Sequence, residues 1–153
     1  MKKRKGGQVW VETVIYTLIG LAVIGILLAV AKPKIDEMKD SATIEQSIQV
    51  MDLVNEKIHA VRSAPGNRRV VDLKIGKGKF VVDNANDAIY WVIDNSRVEY
   101  SQVGEWVPIS GHMKVMTEEA NPYTITLNMT YSVDLRFDNV ITGKKELDEA
   151  PTP

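Results

Sequence analysis

Glu12 interrupts a long apolar stretch, and two glycines stand just ahead of it. Lys2, Lys3, Arg4 and Lys5 come first, then Gly6-Gly7-Gln8-Val9-Trp10-Val11-Glu12, then Thr13 to Ala31 without a charged side chain. Two kinds of chemistry suit this order. Small residues beside a scissile bond suit a processing peptidase, which makes the Gly7–Gln8 bond a candidate cleavage site. A carboxylate deep in lipid costs about 2.5 kcal/mol or more, so Glu12 calls for a partner or a position at the interface. An ordinary secretory signal carries its small cleavage residues after the apolar core. Here they precede it, so a cut behind Gly7 would remove the basic leader, keep the helix and start the new chain at Gln8.

The other residues able to do chemistry assemble into no reaction centre. His59 and His112 lack an acid at the His-Glu-x-x-His spacing that binds zinc on a helix. Asp52 and Glu56 share a helix face, where exposed acids solvate. Gly76-Lys77-Gly78-Lys79 lacks the longer glycine spacing and the hydroxyl residue of a phosphate loop. Asp83-Asn84-Ala85-Asn86-Asp87 lacks the glycine and distant Glu of an EF-hand and reads as a turn. No nucleophile, base and acid come together, and the chain has no cysteine, which excludes disulfides and thiolate metal sites. The sequence implies no catalytic residue, no metal, no cofactor and no enzyme activity. Asn128-Met129-Thr130 is an N-glycosylation sequon, so Asn128 is a possible modification site.

The elements that hold these residues follow from pattern. Residues 8–31 read as a transmembrane or filament-core helix, because about 20 apolar residues span a bilayer. Within it Gly25 and Ala29 are four apart on one face, the spacing that lets helices approach closely. Pro33 ends the apolar run and is expected to kink the helix. Residues 32–64 continue it amphipathically: Ile44, Ile48, Met51, Val54, Ile58 and Val61 form one stripe, with Asp40 and other charged residues on other faces. Ser63 to Asn67 ends the helix.

Residues 69–142 read as an antiparallel β head. A hairpin is expected from Val70 to Ile75 and Lys79 to Asp83, around Gly76-Lys77-Gly78. Further strands are expected at Ala88 to Ile93, after a turn at Asp94 to Ser96 at Arg97 to Val103, and at Trp106 to Ile109 and Lys114 to Glu118. Tyr123 to Phe137 alternates strictly and calls for a bend. Val140 to Thr142 forms a last short piece, and residues 143–153 form a frayed tail. The fold class is therefore α+β, a long N-terminal helix whose outer half packs on a small antiparallel sheet.

Four leader cations belong to the nineteen Lys and Arg, so processing would leave fifteen against twenty acids, a net charge of −5. An acidic product argues against nucleic acid as a partner, since phosphate binding needs clustered cations. The cations of residues 1–7 orient that end toward the cytoplasm and the residues after Ala31 outward.

The first 30 residues resemble the class III signal peptide of type IV prepilins: a basic leader, Gly before the scissile bond, an apolar helix and Glu at the fifth mature position. The Gln8 start resembles the archaeal branch, although Trp10 and Tyr16 stand where that branch carries Ser and Leu. The resemblance implies a prepilin peptidase that cuts between Gly7 and Gln8. It also implies that Glu12 neutralises the amino terminus of Gln8 on a neighbouring subunit. Expected partners are the membrane, the peptidase and other pilin subunits, in a cell-surface filament used for adhesion. The alternative is a single-pass anchored protein whose outer β-domain binds a ligand or partner as a monomer.

Overall fold

The computed structural model describes residues 6–136 and 143–148. The fold is α+β, one long helix α1 (Gly6–Ser63) followed by a six-stranded antiparallel sheet. Lys2 to Lys5, Phe137, the expected Val140 to Thr142 piece and the tail from Glu149 onward lie outside the described residues. The chain divides into two units, Met1–Met38 and Lys39–Pro153, and α1 contributes to both.

In the first unit every side chain from Val9 to Ala31 is exposed. The two threonines there need no outside partner. Thr13 Oγ1 donates to the Val9 carbonyl and Thr17 Oγ1 to the Thr13 carbonyl, each at 2.9 Å. Such bonds back to the preceding turn remove the hydroxyls from the list of groups that demand water. The helix does not end at Pro33, although the ring leaves the Ala29 carbonyl without its usual amide donor. Lys34 and Glu37 form an exposed ion pair at 2.6 Å, of the kind that adds little stability.

In the second unit the rest of α1 supplies a stripe to the core. Ile44, Met51 and Val54 are buried, and Ile48 and Ile58 pack against the same cluster, as the three-and-four spacing predicts. Asp40 corrects the sequence reading. It lies on the packed face, one turn before Ile44, and is buried.

The strands are β1 (Lys79–Asp83), β2 (Ala88–Ser96), β3 (Val107–Ser110), β4 (Met113–Glu119), β5 (Tyr123–Thr130) and β6 (Lys144–Leu147), in spatial order β3-β4-β5-β2-β1-β6. Alternation along each strand fixes one buried face. Register then aligns that face in rows across the sheet. One row runs Val107, Val115, Leu127, Trp91 and Phe80; another runs Met113, Met129, Ile89 and Val82. Phe80 and Trp91 meet edge to face, with ring centres 5.7 Å apart. Met51, Met113 and Met129 are all fully buried in this core.

Several expected boundaries move. Val70 to Ile75 forms no strand, and β1 pairs instead with β2 and β6. The Asp94 to Ser96 turn is absent, because β2 continues through a register shift to a buried Ser96. Arg97 to Val103 is irregular apart from one bridge, Val103 to Thr117. The long alternating run stops at Thr130, where the Tyr131 amide bonds the Asp87 carbonyl and the Leu135 amide bonds Asp87 Oδ1. The expected frayed tail holds β6, paired along β1.

Candidate functional site

The first unit offers an apolar helical surface with one charged side chain, Glu12, from Val9 to Ala31. Gly7 and Gln8 fall in the opening turns of α1, where helix ends fray most readily. Glu12 is exposed, and it makes no hydrogen bond or ion pair among the described residues. Among the described residues this is one helix long and apolar enough to cross a membrane, and it is compatible with membrane anchoring.

Gly25 and Ala29 lie on that exposed helix. A side chain added at Gly20 or Gly25 would meet nothing within 4 Å, so the chain's own packing does not require glycine at either place.

In the second unit, residues that suggested chemistry in the sequence are spent on holding the head together. Lys77 reaches across to α1 and pairs with Asp40 Oδ1 at 2.6 Å, while Asp40 Oδ2 accepts the Arg97 amide at 2.9 Å. Burial pushes the Asp40 carboxyl up. The Lys77 and Arg97 hydrogen bonds and the two positive charges outweigh that and hold it below its ordinary 3.8. The Lys77 carbonyl also accepts the Trp91 indole N–H at 3.2 Å. The glycine-lysine segment is therefore a structural latch. Its Gly78 has φ +92° and lies so close to the Val92 carbonyl that no Cβ fits.

The acidic turn after β1 is likewise self-contained. Asp83 is fully buried and accepts the amides of Ala85 and Asn86, the Asn86 side-chain amide and the Lys144 ammonium. The Asn86 side-chain bond is the largest influence, and with the Lys144 contact it keeps the Asp83 carboxyl below its ordinary value despite burial. Among the described residues no group of three or more His, Cys, Asp or Glu gathers at metal-binding distance.

His59 is exposed on α1, whereas His112, in the turn between β3 and β4, meets that helix. Its Nε2 lies 2.8 Å from Asn55 Nδ2 and 3.5 Å from Asp52 Oδ1. Asn55 is buried with its Oδ1 unpartnered among the described residues. Burial pushes the Tyr131 hydroxyl up to about 12. Asn128 stands at mid-strand on the polar face of β5, opposite Tyr90 and Lys114, and is half-buried.

Sequence reasoning missed the Asp40–Lys77 and Asn55–His112 contacts, which join residues 37 and 57 positions apart. Asp40 did carry a signal: it stands in phase with Ile44, Ser47 and Met51, so an acid at that position needs a cation. No family model matches the chain, and no curated protein and no solved structure matches it.

Proposed function

We propose that this chain is a structural subunit of a type IV pilus-like filament, processed between Gly7 and Gln8 by a prepilin peptidase and used in adhesion at the cell surface. The observation that carries the reading is the fully exposed apolar helix with a single acid, Glu12, near its start. A surface so apolar is unstable in water and demands lipid or other helices. Its one carboxylate demands a cation, and processing would create one, the α-amine of Gln8 on a neighbouring subunit. Gly25 supports the same reading, since among the described residues nothing lies within 4 Å of where its side chain would be, and Ala29 is exposed one turn along. The membrane holds the unassembled subunit, with Lys2 to Lys5 in the cytoplasm and the β head outside.

Intact-mass measurement on protein from native membranes tests the processing step. A first residue of Gln8 is the expected result; a retained leader returns the chain to a monomeric anchor. Glu12→Ala tests assembly: insertion should persist while filaments disappear. Filaments at normal yield in that variant would overturn the role of the carboxylate.

A further inference from the structure

The ring of His112, carried by the turn between β3 and β4, meets two side chains of α1. Its Nε2 lies 2.8 Å from Asn55 Nδ2 and 3.5 Å from Asp52 Oδ1. Asp52 and Asn55 are three positions apart, so one turn of the helix presents both toward the ring. The amide nitrogen can only donate, so Nε2 accepts and a neutral ring carries its proton on Nδ1. An acceptor nitrogen then stands beside a carboxylate oxygen with no hydrogen between them to share.

Asn55 points the same way. It is 8% exposed, and its Oδ1 has no hydrogen-bond partner among the described residues. Half a turn about the bond to the amide carbon exchanges the two amide atoms and brings that oxygen to Nε2. The exchange gives up the bond to His112, and a cation at the meeting point replaces it. Imidazole nitrogen, amide oxygen and carboxylate oxygen then converge as three donors.

The spacing suits a metal ion. Two ligands at 2.0–2.2 Å from zinc, at a tetrahedral angle, stand about 3.4 Å apart. Nε2 and Asp52 Oδ1 are 3.5 Å apart. The 2.8 Å separation from Asn55 is narrower, and a swing of the ring by about half an ångström opens it. The side chains of His112 and Asp52 are 41% and 50% exposed, so an ion and its water can reach the place.

We propose that His112 Nε2, Asp52 Oδ1 and Asn55 Oδ1 bind a divalent transition-metal ion of the Zn2+ type, with water as the fourth ligand. An imidazole among the donors favours such an ion over Mg2+ or Ca2+, which take oxygen ligands. The bound ion clips the β3–β4 turn to α1 and steadies the head. The site stands independently of the filament reading.

The test uses full-length protein in detergent, stripped of metal with a chelator. Saturating Zn2+ should raise the melting temperature of the parent by about 5 °C or more, and Mg2+ should not. Co2+ in its place should give the visible absorption of a four-coordinate site, which reads binding even where a variant alters stability. His112→Gln and Asp52→Asn should each weaken Co2+ binding about tenfold or more. His59→Gln, at the other histidine of the chain, should leave it unchanged. No Zn2+-dependent shift in the parent, or Co2+ binding that survives His112→Gln undiminished, would overturn the site.

Discussion

The ammonium of Lys77 lies 2.6 Å from the carboxylate of Asp40, joining the segment before β1 to α1. The other Asp40 oxygen takes the Arg97 amide, so one carboxylate ties three parts of the head together. Removing Lys77 takes the cation from the buried Asp40 carboxylate, and removing Asp40 takes the acceptor from the Arg97 amide, each at a cost of about 1–3 kcal/mol. Asp40→Ala and Lys77→Met should each lower the urea midpoint of the full-length protein in detergent by that equivalent, read by intrinsic fluorescence. The double variant should lose less than the sum of the two.

The same carboxylate, with Asp83, sets a dependence on acid. Both are held below their ordinary value of 3.8 in the folded chain. The stability they contribute is therefore complete above the unfolded value, near pH 4, and is lost as pH falls through the folded values. The urea midpoint should stay level from neutral pH to about 5 and drop steeply below about 4. Asp40→Asn should flatten part of that drop while lowering the plateau.

Gly78 and Gly76 flank Lys77 and should respond oppositely to alanine. Gly78 has a positive φ and no room for a Cβ against the Val92 carbonyl, whereas nothing lies within 4 Å at Gly76. Gly78→Ala should destabilise by about 2 kcal/mol or more. Gly76→Ala should stay within about 0.5 kcal/mol of the parent. Thermal melts of the two variants separate the cases.

Gly25 offers a test that leaves folding alone. Its surroundings are empty within the chain, so Gly25→Leu should preserve insertion and the melting of the β head. If the small residue serves contact with a neighbouring helix, filament yield should fall at least tenfold, by about 1.4 kcal/mol or more per contact. Undiminished filaments in electron micrographs would assign that contact elsewhere.

The sequence made legible those features whose cause is local. The stripe from Ile44 to Ile58 and the alternation of Ile125, Leu127 and Met129 follow from periods of 3.6 and 2, and both face the core as expected. Glu12 stood out because a lone acid in an apolar run is costly once that helix lies in lipid. What stayed hidden depended on distant partners. Val70 to Ile75 has strand composition, but β1 finds its neighbours in β2, across the 84–87 turn, and in the distant β6, and no local signal ranks β6 above Val70 to Ile75. Lys144–Leu147 carries two lysines and a glutamate, which hide a strand until β1 supplies its other side. Asp40 was misassigned because charge outweighed phase in reading its face, although Lys77 makes the buried position tolerable.

Met51, Met113 and Met129 have a chemical consequence for the life of the folded head. Their thioethers are the softest oxidisable groups in a chain with no thiol, and the closed core keeps oxidants away from all three. A sulfoxide among them would bring a polar oxygen into a space built for hydrocarbon and would hinder reclosure. Each such sulfoxide would therefore be a durable trace of a past opening of the head, so that peptide mapping could distinguish heads that had stayed shut from heads that had once come apart.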